Sequence, residues 1–153
     1  MSKPKVTALA QWFGSNRMLA QEVGKQLNGC GWVGIPFAGG MCEIAHINAR
    51  TILANDKHRA IINLANMVKW DDGRAWLQRE LPKALFHPDT LAKAQATLIA
   101  SNQLFEQTNI KKTDRQCLEY AEAFFIVSWM TRAGTAGTDA ETKGKLCLRR
   151  DAG

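Results

Sequence analysis

Two glycines and an acid, Gly39, Gly40 and Asp56, lie where a cofactor-binding βαβ unit would place them. In such a unit, glycines after the first strand let the backbone approach a ligand closely. The second strand then ends, about twenty residues later, in an acid whose carboxylate accepts hydrogen bonds from ribose hydroxyls. The segment VGIPFAGGMCEIAHINARTILAND, residues 33–56, therefore predicts one wall of a pocket for a nucleotide-like cofactor.

A purely structural role explains the same residues. The glycines can tighten a turn, and Asp56 can cap the helix that is expected directly after it. The dinucleotide fingerprint GxGxxG is absent, which argues against a nicotinamide cofactor, and the absence of GxxxxGK[ST] excludes a P-loop. The cofactor site and the tight turn both stay open on this pattern alone.

The elements that must position these residues follow from the hydrophobic pattern. Apolar positions at helical spacing over 14–29 predict a helix that ends at Gly29. The apolar runs GWVGIPF and RTILAN are typical of strands, and GGMCEIAHINA between them has the length and composition of a helix. A further helix, DKHRAIINLANMVKW, follows the acid. This order predicts an α/β fold with a parallel, right-handed crossover.

From about residue 73 the pattern becomes helical. Three segments each predict a helix: GRAWLQRELPKALF, which is broken at Pro82, PDTLAKAQATLIASNQLFEQ, and TDRQCLEYAEAFFIVSWMTRA. Thr113 is expected to cap the last of them. We expect the aromatic residues on that helix, Phe124, Phe125 and Trp129, to belong to the core rather than to a base-stacking platform.

Three regions result from this pattern. They are an αβ portion over 1–72, a helical segment over 73–132, and a basic, Gly/Thr-rich loop over 133–153. Two parallel strands do not make a stable doubly wound sheet, so we expect further strands from a missing C-terminal region or from a second chain.

Composition and charge narrow the class of protein. The chain has 153 residues, of which 46% are hydrophobic and 22% charged, as in soluble globular proteins. No apolar run approaches the roughly 18 residues of a membrane span, and no secretory signal is recognisable, so we expect a cytoplasmic protein without a membrane partner. The scattered cysteines and histidines do not have zinc-site spacing, so no metal is expected. The net charge of +6 favours an anionic partner such as nucleic acid.

Three segments, taken together, resemble one enzyme family. WFGSNRML (12–19), PFAGG (36–40) and ANDKHRAIINLANMVK (54–69) are similar, in this order, to elements of the Dam-type adenine-N6 DNA methyltransferases. That family begins with an aromatic-x-Gly-Gly-Lys-x-x-Leu element, followed by a Pro-Phe-x-Gly-Gly turn and an Asn-Asp at a strand end. The resemblance covers residues 10–70 well. Beyond them it is looser, although AFFIVSWMTRAGTAG resembles the segment leading into the target-recognition region.

The resemblance implies a partial Rossmann-like methyltransferase fold, S-adenosylmethionine as cofactor, and adenine in double-stranded DNA as substrate, as in restriction-modification systems. It implies that Trp12 lines the cofactor pocket, that the turn lies beneath the methionine part, and that Asp56 holds the ribose diol. A plain core aromatic is the alternative for Trp12. The implied cofactor-binding residues are Trp12, Phe13, Gly14, Asn16, Pro36, Phe37, Gly39, Gly40 and Asp56.

The chain also departs from the family pattern. Asn16 stands where the family has lysine, Ile35 where an acid often precedes the Pro-Phe pair, and Met41 where a third glycine is common. The family's catalytic Asp-Pro-Pro-Tyr element, which holds the amino group of a flipped-out adenine, does not occur at all. We therefore assign no catalytic residue, and we expect the chain alone not to transfer methyl groups.

Basic residues toward the C-terminus are the expected phosphate contacts. These residues are Arg132, Lys143, Lys145, Arg149 and Arg150. A solvated charged face explains them equally well. Two other functions stay open: a non-catalytic DNA-binding or regulatory remnant of the same fold, and an unrelated αβ binding module whose glycines are only structural.

Overall fold

The computed structural model describes residues 7–107, 113–131, 136–138 and 140–147. Short 3₁₀ turns occupy Glu43–His46, Leu81–Lys83 and Glu141–Lys143. Two strands and five α-helices follow one another as α1 (Ala20–Gln26), β1 (Trp32–Ile35), β2 (Thr51–Ala54), α2 (Arg59–Lys69), α3 (Asp71–Glu80), α4 (Pro88–Glu106) and α5 (Asp114–Met130). The described part of the chain is therefore α/β in class, with a small sheet and a helix-rich second half.

The parallel pairing predicted for the two apolar runs is confirmed. The register places Trp32 opposite Thr51 and Ile35 opposite Ala54. Successive side chains of a strand point to opposite faces, so Val33 turns into the core while Trp32 is exposed. Because the strands are parallel, the turn after β1 and the acid after β2 lie at the same edge of the sheet.

The prediction of a helix over GGMCEIAHINA is wrong, because only the 3₁₀ turn Glu43–His46 forms there. Met41, the third residue of this segment, has φ 58°, a left-handed conformation that no α-helix accommodates. By Ile47 the backbone is already extended. The segment also packs closely on α1, since a Cβ on Gly24 would lie 2.4 Å from the carbonyl oxygen of His46. Tight backbone packing replaces a full crossover helix.

The other helices agree more closely with their predictions. The first is shorter than expected, but Gly29 still follows its end with φ 86°. The break at Pro82 is confirmed and takes the form of the 3₁₀ turn after α3. At the start of α5, Thr113 Oγ1 accepts a hydrogen bond from the Gln116 backbone N–H at 3.3 Å, and the Thr113 N–H donates to Gln116 Oε1 at 2.9 Å. This capping box confirms the expected N-cap.

The hydrophobic core is built around α5, which packs against both α2 and α4. Phe124 is fully buried, Phe125 packs against the core from its edge, and Trp129 keeps 37% of its surface exposed. The prediction that these rings are core residues is thus confirmed for Phe124. The N-terminal segment, the turn after β1 and the helices α2, α4 and α5 all contribute side chains to this core, among them Ala10, Ala38, Ile61, Leu64, Leu98 and Val127.

The chain beyond α5 folds back onto its end, where Thr131 forms an antiparallel bridge with Leu146 and the Cys147 N–H donates to the Met130 carbonyl at 2.8 Å. We call residues 136–138 and 140–143 the C-terminal turn. Its 3₁₀ segment contacts α4 and α5, and Glu141 reaches His58 just before α2. The predicted loop thus has a defined path in its described part.

Candidate functional site

Asp56 ties residues 36–40, which we call the glycine turn, to the start of α2. Its Oδ2 accepts a hydrogen bond from the Gly39 N–H at 2.8 Å, and its Oδ1 accepts one from the His58 N–H at 2.8 Å. The carboxylate therefore has a structural role, although it lies before the helix rather than at its N-cap, His58. An ionised carboxylate offers about four lone-pair sites, so Asp56 can still accept hydrogen bonds from a ligand.

Trp12 lies between the glycine turn and the C-terminal turn. A Cβ on Gly39 would lie 3.1 Å from Trp12 Cδ1, and one on Gly137 would lie 2.5 Å from Trp12 Cζ2. A Cβ on Gly40 would lie 3.0 Å from Trp12 Cβ and 2.6 Å from the Ala10 carbonyl oxygen. Only residues without a side chain allow three backbone segments to pack this closely around one indole.

The structure therefore brings four of the implied cofactor-binding residues together: Trp12, Gly39, Gly40 and Asp56. The neighbouring Phe37 points away from them and is 88% exposed. The other residues of the set are exposed as well, namely Phe13, Gly14, Asn16 and Pro36.

Among the expected phosphate contacts, Lys143 and Lys145 are exposed at the end of the C-terminal turn and just beyond it. Arg132, Arg149 and Arg150 lie outside the described residues.

Met41 shows why a third glycine is compatible with this turn but not required. Its φ of 58° is a conformation that costs an ordinary residue about 1–2 kcal/mol. The side chain is only 5% exposed and packs in the main core, which contributes about 1.5–3 kcal/mol in return. Burial of the thioether therefore offsets the strain of the backbone.

Two residues that no sequence motif singled out, His58 and Glu141, pair beneath the indole. Glu141 is 4% exposed, and its Oε2 lies 3.2 Å from His58 Nε2 and accepts the Gly137 N–H at 2.8 Å. The His58 ring packs edge-on against Trp12, with ring centroids 5.1 Å apart, and contacts Phe124 at 5.4 Å. Glu141 lies close to Asp139 in a stretch rich in Gly, Thr and Lys, and no sequence signal connects it to His58.

A cavity of about 290 Å³ opens beside the pair. It is lined by His58, Asn102, Gly137, Thr138, Glu141 and Thr142. Among the described residues, His58 Nδ1 is a buried atom without a hydrogen-bond partner. The cavity thus combines a buried carboxylate, an imidazole, an amide and two hydroxyl groups next to the residues that the sequence analysis singled out.

A larger groove of about 780 Å³ lies between α3, α4 and α5, away from the glycine turn. The indole of Trp76 lies between the guanidinium groups of Arg79 and Arg115 and donates to Glu122 Oε2 at 3.2 Å. Most of the other charged side chains that line the groove pair with one another, as Glu80 does with Lys83 at 2.9 Å. We therefore place the candidate site at the smaller cavity.

Tyr120, on the far side of the cavity wall, provides a pH test of this arrangement. Its hydroxyl donates to Asn102 Oδ1 at 2.5 Å, and burial, together with the negative charge of Glu141, raises the pKa of Tyr120. Because the folded state favours the neutral phenol, Tyr120 contributes to the stability of the fold. This contribution is fully present below about pH 10, the pKa of an unfolded tyrosine, and is lost as the pH rises further.

We expect the urea midpoint to fall above about pH 10, and the fall to be smaller in Tyr120→Phe. Tyr120 is the single tyrosine of the chain, so tyrosinate absorbance reports its ionisation directly. Ionisation at the value of an exposed tyrosine in the folded protein would contradict the burial of this hydroxyl.

Within the described residues, no helix is both long and apolar enough to cross a bilayer. The same part of the chain contains no group of three or more His, Cys, Asp or Glu residues that could hold a metal ion. No family model, curated protein or solved structure matches this chain.

Proposed function

We propose that residues 12–56 are the S-adenosylmethionine-binding part of a site-specific DNA adenine-N6 methyltransferase with a partial Rossmann-like fold. In this proposal the protein is cytoplasmic and acts on double-stranded DNA. The residues that hold the adenine come from a C-terminal region or from a second chain. One observation carries the proposal: Trp12, the glycine turn and Asp56, which the motifs singled out separately, meet at the carboxyl edge of a parallel strand pair.

The side chains present at this edge suit such a cofactor. Asp56 has lone pairs left to accept hydrogen bonds from the two ribose hydroxyls, and its orientation is fixed by two backbone N–H groups. Gly39 and Gly40 let the glycine turn pack closely against Trp12, and the part of the indole that stays accessible offers an apolar wall. When bound, S-adenosylmethionine supplies an electrophilic methyl group on its sulfonium. The residues of this chain bind and orient it.

The test compares two ligands with two proteins. Titration calorimetry would measure S-adenosylhomocysteine and its 2′-deoxy analogue against the natural chain and Asp56→Asn. Because the deoxy analogue lacks one hydroxyl donor, and a hydrogen bond to a charged group contributes about 1.5–3 kcal/mol, we expect the natural chain to bind it about 10- to 100-fold more weakly. In Asp56→Asn this preference should fall to less than about threefold.

Asn55→Ala serves as the control, because Asn55 is exposed and adjoins Asp56, and its side chain makes only a 3.5 Å contact with the Pro36 carbonyl. It should keep the preference of the natural chain. The urea midpoint of each variant separates lost binding from lost folding. Equal affinities for both ligands in the natural chain would refute the role of Asp56 toward the ribose.

A non-catalytic DNA-binding remnant of the same fold is the alternative, favoured by the net charge of +6 and by the exposed Lys143 and Lys145. A folded chain that binds duplex DNA but none of the adenosine ligands supports this alternative. Its affinity should fall steeply with salt, because phosphate contacts release counterions. Replacing both lysines by alanine should reduce that salt slope. Binding of neither ligand class would support an unrelated αβ module.

A further inference from the structure

Glu141 is the least exposed of the carboxylates near the indole, and its hydrogen bonds are incomplete. Oε2 interacts with His58 and accepts the Gly137 N–H, whereas in the described part of the chain no hydrogen bond reaches Oε1. A carboxylate taken out of water is stabilised only when charged or polar donors surround it. One backbone N–H and one imidazole leave room for a further donor on the cavity side.

The lining of the cavity favours a positively charged donor. Besides Glu141 its described lining contains Asn102, Thr138 and Thr142, which carry oxygens able to accept hydrogen bonds, and no lysine or arginine is among the described residues that line it. An ammonium group, with three donors and one positive charge, complements such a lining.

His58 and Gly137, which line the cavity, also contact residues of the proposed cofactor site. His58 contributes its backbone N–H to Asp56 and its imidazole to Glu141. Gly137 lies against the Trp12 indole on one side and donates to Glu141 on the other. A ligand that contacts both Asp56 and Glu141 would pass along His58, which interacts with each of them.

We propose that Glu141 forms an ammonium subsite, and that it binds the α-ammonium group of S-adenosylmethionine. This proposal rests on the proposed function and names a residue outside the motifs on which that function was based. His58 acts as a positioning residue: its imidazole holds Oε2, so that Oε1 faces the cavity.

The experiment uses calorimetry on the full chain with two adenosine ligands. S-adenosylhomocysteine carries the ammonium group, and 5′-methylthioadenosine lacks the whole amino-acid end. A charge-assisted hydrogen bond in a buried site corresponds to about a 10- to 100-fold gain, so we expect this ratio of affinities in the natural chain. In Glu141→Gln the ratio should fall to about threefold or less, with the affinity for methylthioadenosine unchanged.

Glu106→Gln is the matched control, because Glu106 is exposed at the end of α4 and does not line the cavity. It should keep the ratio of the natural chain. If Glu141→Gln does not fold, the desamino analogue of S-adenosylhomocysteine tests the natural chain instead, and we expect it to bind as weakly as methylthioadenosine. Methionine alone tests whether any free ammonium compound suffices, and we expect no measurable binding.

The possible failures are distinguishable. An affinity ratio that is the same in Glu141→Gln and in the natural chain overturns the ammonium subsite and leaves the cofactor proposal intact. Tight binding of the desamino analogue likewise overturns the ammonium subsite and leaves the cofactor proposal intact. If a folded chain binds none of the adenosine ligands, the proposed function itself fails.

Discussion

Replacing Phe124 by alanine is expected to lower the free energy of unfolding by about 3–5 kcal/mol. The ring is 0% exposed on α5, in the core that α2 and α4 share with the glycine turn. Removing it leaves a cavity that the surrounding helices can fill only in part, and the lost contacts add to the lost burial. Urea unfolding followed by circular dichroism measures the difference. We also expect weaker cofactor binding, because Phe124 supports the His58 ring.

Trp129→Ala is the matched control on the same helix. This ring is partly exposed and lies at the edge of the core beside Phe125, with ring centroids 6.0 Å apart. Less of its surface leaves water on folding, so its removal should cost about 1–2 kcal/mol. Equal losses for the two variants would contradict the assignment of Phe124 to the core and Trp129 to its edge.

The elements that were predicted correctly are those whose signals are local. The spacing of apolar residues in α2, α4 and α5, the strand-type runs and the capping residues around Thr113 each involve neighbours within a few turns of chain. The parallel pairing of β1 and β2 followed from two apolar runs joined by a crossover. The glycine turn and Asp56 were found for the same reason, since each follows directly from the end of a strand.

The crossover helix failed because non-local packing overrides local propensity. The composition of residues 39–49 suits a helix, but the backbone of Met41 is left-handed and its side chain belongs to the core. The close approach of Gly24 to the His46 carbonyl then fixes the segment against α1. Neither constraint is visible in the sequence of the segment itself.

The pairing of His58 with Glu141 was missed for a related reason. The two residues lie in distant parts of the chain and meet only because α5 packs on α2 and the C-terminal turn packs on α4 and α5. No spacing rule connects them. The need for glycine at position 137 is equally non-local, because it arises from the indole of Trp12, near the other end of the chain.

Gly137→Ala is therefore expected to lower the free energy of unfolding by about 2–5 kcal/mol. At φ 82° a residue with a Cβ is strained by about 1–2 kcal/mol. The added methyl would lie 2.5 Å from Trp12 Cζ2, so the indole or the C-terminal turn must move, which costs about 1–3 kcal/mol more. Urea unfolding measures the sum, and tryptophan fluorescence follows the displacement of the ring.

Gly29→Ala separates the two causes. Gly29 has a similar φ of 86°, but its Cβ position is open, so this variant has the backbone strain without the contact. We expect it to lose only about 1–2 kcal/mol and to leave the indole fluorescence unchanged. The excess loss in Gly137→Ala should disappear when Trp12 is also replaced by alanine, as a double-mutant cycle would show. Equal losses in the two glycine variants would mean that the C-terminal turn yields freely, and Glu141 would then lack the fixed position on which an ammonium subsite depends.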